Sequence, residues 1–191
     1  MLKIFCTFVL ITMSSSCFAH NVAHQVGLTS GILHPLLGLD HLIAMLAVGI
    51  LSYQMKKGFI WKLPLAFVVF MCLGGIWGIF STPMIIVELG IALSLVTLGI
   101  MIFKHTLIPR TLALAIVSMF AIFHGYAHGI EIPSLTSPTI YIVGFICSTI
   151  TLHIAGILLA KYCSKLQTSL ISLQHIGSVI FMIGCYFLTN I

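Results

Sequence analysis

The stretch HPLLGLDHLIAM, residues 34–45, places two histidines, an aspartate and a proline inside a long apolar segment, residues 30–53. An α-helix needs ~20 mostly apolar residues to cross a bilayer, so the segment is long enough to span one. Charged groups at membrane depth cost free energy, ~2.5–3.5 kcal/mol on insertion scales, and usually face a cavity or a partner. The sequence therefore predicts a membrane-spanning helix that carries a buried polar site.

The composition of the whole chain agrees with a membrane protein. Of its 191 residues, 60% are hydrophobic and 6% are charged, and the mean hydropathy is +1.23. A soluble domain carries about 25% charged residues. Further apolar segments follow the first at residues 60–80, 84–103, 111–130, 138–161 and 169–189. We expect an all-α, polytopic membrane bundle of six transmembrane helices, with no separate soluble domain.

Residues 1–19 form a predicted signal peptide. One lysine precedes an apolar core, and small residues stand at the −3 and −1 positions of a cleavage site between Ala19 and His20. The mature chain, residues 20–191, is then one six-helix transmembrane domain that begins outside the cytoplasm. A free His20 at that terminus can chelate a metal ion through its α-amine and its imidazole.

Basic residues predict the orientation of the spans. The lysines and arginines of the mature chain all fall at alternate connections: Lys56, Lys57, Lys62, Lys104, Arg110, Lys161 and Lys165. The positive-inside rule makes these connections cytoplasmic, so both mature termini lie outside. The net charge of +5 is therefore a topology signal and not the basic patch of a nucleic-acid-binding protein.

This topology brings polar residues of different spans to one depth. All three acidic residues of the chain and four of its nine histidines fall in the outer half of the membrane: Asp40, Glu88, Glu131, His34, His41, His124 and His128. His153 falls in the inner half of the fifth span. Such a group can be a structural hydrogen-bonded pair, a proton relay or a cation site.

Spacing along the helices favours the cation site. His124 and His128 are four residues apart, so they lie on one helix face about 6 Å apart and can share a metal ion. His34 and His41 are seven residues apart, with ~10 Å of rise between them on a regular helix. Either the helix breaks at the proline or the glycine between them, or His34 is an outer ligand and His41 a deeper one.

The ligand types point to a borderline metal ion. Imidazole nitrogen with carboxylate oxygen suits Ni²⁺, Co²⁺ and Zn²⁺ better than Ca²⁺ or Mg²⁺. No cysteine accompanies the group, which argues against copper(I). The sequence has neither a GxxxxGK[ST] phosphate loop nor an HExxH zinc-protease motif, and we expect no enzyme.

Two other functions stay open at this point. A membrane haem protein takes axial histidines from different helices, and His41 with His124 is such a pair, although the carboxylates disfavour a haem pocket. A metal sensor or accessory subunit would use the same ligands without moving the ion.

Three stretches resemble the HupE/UreJ family of bacterial permeases, which import nickel or cobalt and are associated with hydrogenase and urease maturation. They are HPLLGLDHLIAMLAVG in the first span, FHGYAHGIE in the fourth and GFICSTITLHIAG in the fifth. The resemblance covers essentially the whole chain. It implies a metal path through His34, Asp40 and His41. Further participants are His124, His128 and Glu131, with Glu88 and His153 at positions that are polar in the family.

The resemblance also implies the partners and the location. We expect uptake of Ni²⁺ or Co²⁺ from periplasm to cytoplasm through the bacterial inner membrane, with periplasmic mature termini. The partners are the ion and the lipid bilayer, with no nucleic acid and no prosthetic group, and a homo-oligomer is left open. One position departs from the family, because Tyr126 stands where relatives often have a histidine. We therefore expect one imidazole fewer in that segment.

Overall fold

The structure is a computed structural model that describes residues 27–56, 58–104, 107–133, 137–166 and 172–191. The predicted signal peptide, its cleavage site and His20 lie outside the described residues.

Seven helices and no strand make up the described part of the chain. They are α1 (Leu28–Leu37), α2 (Leu39–Met55), α3 (Phe59–Ile79), α4 (Ile85–Phe103), α5 (Arg110–Ile130), α6 (Pro138–Leu166) and α7 (Leu173–Leu188). The expectation of an all-α fold is confirmed.

Four of the helices, α3 to α6, are long and apolar enough to cross a membrane. The bent pair of α1 and α2 is a fifth candidate span. The last helix, α7, is apolar but has 16 residues, fewer than the ~20 that a straight span needs. The helices are therefore those of a multi-pass membrane protein, and the count of six spans stays a prediction.

The first apolar segment is broken at Gly38. The axes of α1 and α2 differ by 82° there, and Gly38 has an extended backbone with φ −79° and ψ 107°. Pro35 lies inside α1 and is not the break. Irregular backbone at membrane depth is tolerated where it is buried in protein or lines a cavity. The break therefore marks a place where the bundle has a polar interior.

Glycines bring the helices together in pairs. A Cβ atom on Gly125 of α5 would collide with the backbone carbonyl of Met71 in α3. The bent pair α1–α2 packs on α6 in the same way, with Gly49 against Gly156, and Gly99 of α4 packs on α7. Small residues permit such close backbone contact between membrane helices.

The helix α2 lies at the centre of the bundle and contacts α3, α4 and α6. Its Met45, Val48 and Leu51 side chains have no exposed surface. The outward faces of α3 and α6 are apolar instead, with Leu65 65% and Leu158 57% exposed. Apolar faces of this size suit lipid rather than water. The buried α2 carries Asp40 and His41 at its N-terminal end.

Candidate metal site

The break at Gly38 brings His34 and His41 side by side. Their ring centroids lie 6.1 Å apart, less than the ~10 Å of rise on a regular helix. Of the two alternatives that the spacing left open, the broken helix is the one observed. A Cβ atom on Gly38 would lie 3.1 Å from Oδ1 of Asp40, so the glycine also leaves room for that carboxylate.

The last two turns of α5 face this break. The ring centroid of His41 lies 4.9 Å from that of His124 and 4.8 Å from that of His128. The ring of His34 lies 4.9 Å from His128. Four imidazoles from two separate parts of the chain therefore form one group, which we call the histidine cluster: His34, His41, His124 and His128.

The outer end of the cluster is joined by Glu131. Nε2 of His34 lies 2.8 Å from Oε2 of Glu131, and the two side chains are 30% and 48% exposed. One potential ligand atom from each of His34, His128 and Glu131 lies within 4.8 Å of the other two. Burial acts to raise the pKa of the Glu131 carboxyl, but the hydrogen bond from His34 and the electrostatic attraction of His34 and His41 together outweigh it and hold that pKa below its ordinary value. These three residues, which we call the outer group, therefore offer two imidazoles and one ionised carboxylate.

Asp40 orients the ring of His41. Its Oδ1 lies 2.9 Å from Nδ1 of His41 and also accepts a hydrogen bond of 2.8 Å from the His41 backbone N–H. Nε2 of His41 is buried and has no hydrogen-bond partner among the described residues. Metal-binding histidines usually donate their other ring N–H to a carboxylate or a carbonyl, which fixes the ring. The Asp40–His41 pair has this arrangement, with Nε2 as the nitrogen left for a ligand.

His124 and His128 are fully buried. Nε2 of His124 lies 2.9 Å from Oγ of Ser94, whereas its Nδ1 has no partner in the described part of the chain. Within the same residues, neither ring nitrogen of His128 has a partner, and its ring stacks on Phe145 at 4.8 Å. An unsatisfied buried polar group costs about 1–3 kcal/mol. The cluster is therefore suited to an external ligand that accepts nitrogen lone pairs.

A cavity of about 520 Å³ reaches His41 of the cluster, and all three acidic residues of the chain line it: Asp40, Glu88 and Glu131. Its other walls come from the first turns of α4 and the end of α7. Glu88 is exposed on the wall and stands apart from the outer group. Six waters occupy about 180 Å³ at ~30 Å³ each, so a hydrated divalent cation fits this space.

His153 lies deeper in the bundle and outside the histidine cluster. The ring of Phe67 lies 5.6 Å from His124 on one side and 5.2 Å from His153 on the other. Both ring nitrogens of His153 are buried, with no partner among the residues that the structure describes. Phe67 therefore contacts both His153 and the cluster.

Tyr126 points away from the histidines. Its hydroxyl donates to the Thr82 carbonyl at 2.8 Å, and its ring packs edge-on against Trp77. At 100° per residue, position 126 lies ~200° around the helix from position 124. The segment has one imidazole fewer than relatives with a histidine at this position, but a side chain at 126 does not face the cluster.

Sequence reasoning missed the residues that hold the imidazoles in place. Ser94 is the hydrogen-bond partner of His124, and Phe145 and Tyr141 of α6 pack on His128 and His34. The available signal for Ser94 was a hydroxyl-bearing residue six positions after Glu88, in a helix with few polar residues.

The spacing of the rings argues against His41 and His124 as the axial pair of a haem. Axial imidazoles of a haem stand on opposite faces of the porphyrin, so the macrocycle must fit between them. The rings of His41 and His124 are in perpendicular contact at 4.9 Å. No haem fits between this pair.

The helices and the cluster define a multi-pass helical membrane protein with a buried site of imidazoles and carboxylates. Comparison with known proteins agrees with this class. The profile of the HupE / UreJ protein family matches residues 8–187. The Protein HupE of Rhizobium leguminosarum bv. viciae is 39% identical over 159 residues, which are 83% of this chain and 83% of the relative.

The chain belongs to the HupE/UreJ family. This is a family of membrane transport or accessory proteins and not of enzymes. No solved structure matches the chain.

Proposed function

We propose that this protein takes up a divalent transition-metal ion, nickel or cobalt, from the periplasm into the cytoplasm. The observation that carries the proposal is the set of buried ring nitrogens on His41, His124 and His128 that have no partner among the described residues. Imidazole with carboxylate suits Ni²⁺, Co²⁺ and Zn²⁺ better than Mg²⁺ or Ca²⁺. Membership of the HupE/UreJ family favours nickel or cobalt among these ions.

Capture begins in the cavity. Three carboxylates line it, so it attracts a hydrated cation. In our proposal Glu88 guides the ion along the wall, and His20 at the mature N-terminus chelates it before entry. The ion then replaces the contact between His34 and Glu131, which are partly exposed and 2.8 Å apart.

Transfer to the buried nitrogens removes water from the ion. His128 belongs to the outer group and also lies 4.8 Å from His41. It can therefore keep hold of the ion while His34 and Glu131 are exchanged for His41 and His124. An ion held throughout by at least one imidazole loses its waters in steps, which lowers the cost of each step.

Release toward the cytoplasm leads past Phe67 to His153. The side chain of Phe67 contacts both His124 and His153, so it must move before the ion can pass. The inside-negative membrane potential contributes ~2.3 kcal/mol per charge per 100 mV, and a divalent ion gains about twice that on entry. Uptake therefore needs no ATP hydrolysis in principle.

The cellular arrangement is part of the proposal. The signal peptide, residues 1–19, is removed, and six spans leave both mature termini in the periplasm of a bacterium. α7 is the sixth span, and local thinning of the inner membrane accommodates its 16 residues. With this orientation the cavity faces the periplasm.

Purified protein in vesicles that contain a nickel-responsive dye tests the proposal. Wild-type protein should give influx, and His41→Ala should reduce it at least tenfold. His175→Ala is the matched control, because His175 lies exposed at the start of α7 with its ring bonded to Ser172. This variant should transport normally.

The same vesicles separate transport from an accessory role. Metal binding without influx would make the protein an accessory or sensor subunit and would refute transport. Normal influx in His41→Ala would refute the site. Competition with Co²⁺, Zn²⁺ and Mg²⁺ then ranks the substrates, and we expect Mg²⁺ to be the weakest competitor.

A further inference from the structure

Ser94 of α4 is fully buried and makes two hydrogen bonds. Its Oγ lies 2.6 Å from the carbonyl oxygen of Ile91 and 2.9 Å from Nε2 of His124. A hydroxyl has a single proton to donate, and a carbonyl oxygen can only accept. The Ser94 proton therefore goes to Ile91, and Oγ accepts the second hydrogen bond from Nε2–H of His124.

The direction of the hydrogen bond between His124 and Ser94 decides which ring nitrogen of His124 has a lone pair. A neutral imidazole that carries its proton on Nε2 has its lone pair on Nδ1. Nδ1 is the ring nitrogen of His124 that has no partner within the described residues. The His124 ring lies 4.9 Å from that of His41, whose Nε2 is likewise without a partner among them.

We propose that Ser94 is a positioning residue, which holds His124 in the Nε2–H tautomer and so presents Nδ1 to the metal ion. Ser94 accepts a hydrogen bond from one ring nitrogen of His124, as Asp40 does from His41, and so leaves the other nitrogen for the ion. The ligand role of Nδ1 rests on the proposed function, whereas the tautomer does not. Ser94 is uncharged, so it fixes the ring without adding a negative charge at the deeper end of the cluster.

The chain offers a matched control in Ser52. This serine is also fully buried in a helix, and its hydroxyl donates to the carbonyl of Gly49, three residues earlier, at 2.8 Å. Ser94 bonds to Ile91 with the same spacing. Ser52→Ala therefore removes the same hydroxyl and the same backbone bond, but no bond to an imidazole.

The first measurement is ¹⁵N NMR of histidine-labelled protein without metal. The His124 resonances should report Nε2–H in the wild-type protein and in Ser52→Ala. Ser94→Ala should give a mixture of both tautomers, and Ser94→Thr, which keeps the hydroxyl, should restore Nε2–H. A wild-type protein with Nδ1–H on His124 would overturn the proposal, even if Ser94→Ala does not fold.

The second measurement is Co²⁺ titration of the same proteins, followed by the visible absorbance of the bound ion. Partners of metal-binding histidines are typically worth 10–100-fold in affinity. We expect Ser94→Ala to bind Co²⁺ 10–100-fold more weakly, and Ser94→Thr and Ser52→Ala to bind it with wild-type affinity. Equal affinities in Ser94→Ala and Ser52→Ala would refute the positioning role. If the tautomers behave as expected but wild-type protein binds no metal, the hydrogen bond stands and the proposed function fails.

Discussion

Replacing Asp40 by asparagine removes the negative charge beside His41 and keeps an oxygen of similar position. Oδ1 of Asp40 accepts from the ring Nδ1 at 2.9 Å and from the backbone N–H of His41 at 2.8 Å. An amide oxygen can accept both bonds, so the ring of His41 keeps its tautomer. What is lost is the charge that makes Nε2 a stronger donor to a metal ion.

The size of the effect follows from these two contacts. A hydrogen bond to a charged group contributes about 1.5–3 kcal/mol and a neutral one about 0.5–1.5 kcal/mol. The difference, about 1–1.5 kcal/mol, is close to a tenfold loss of metal affinity. Asp40→Ala also frees the ring to rotate, so its loss should approach the hundredfold end of the range for such partners.

Co²⁺ titration of Asp40→Asn, His41→Ala and the double variant measures this effect. If Asp40 acts through His41, the asparagine should change affinity little once His41 is alanine, and the cycle should show a coupling of about 1–1.5 kcal/mol. If the two losses simply add, Asp40 binds the ion directly and the reasoning is refuted. The shape of the cobalt spectrum in Asp40→Asn should match that of wild-type protein.

Three further outcomes are expected. Gly125→Ala should lower stability by about 1–3 kcal/mol, because the new Cβ collides with the Met71 carbonyl. Gly75→Ala is the control and should leave stability unchanged, because its Cβ meets nothing closer than 3.4 Å. Thermal unfolding in detergent compares the two variants. Glu131→Gln should raise the KM for nickel several-fold with little change in maximal rate, because Glu131 helps to capture the ion and is exchanged for a buried imidazole before passage. An unchanged KM would contradict this role. Uptake should fall as external pH drops from about 7 to 5, since protons compete with the metal ion for the imidazole nitrogens. The pKa of Glu131 lies below its ordinary value of 4.5, so its carboxylate stays ionised over this pH range and does not contribute to the fall.

Helix positions were largely predictable because membrane helices are defined by long apolar runs. The segment at 84–103 corresponds to Ile85–Phe103, and the segment at 111–130 to Arg110–Ile130. The break in the first segment could be suspected but not located. Its 82° angle depends on the packing of α1 against α6, where Gly31 meets Gly144 from a distant part of the chain.

The candidate site was predictable in depth but not in direction. Charge-based topology assigns a depth to each residue, which grouped His41 with His124 before any contact was known. Direction around the helix decides which side chains face the interior, and for Tyr126 the helical period alone would have shown that it faces away. The partnership of Ser94 with His124 depends on how two helices rotate against each other, which hydropathy does not encode.

The glycine contacts also determine what can move. The α1–α2 pair joined to α6 carries His34, His41 and His153, while the α3–α5 pair carries His124 and His128. Backbone-to-backbone contact holds each of these units together, and the imidazoles of the cluster lie where the two units face each other. An ion bound by the cluster would therefore link these two helix units. In the proposed uptake, release of the ion would then remove this link between the two units.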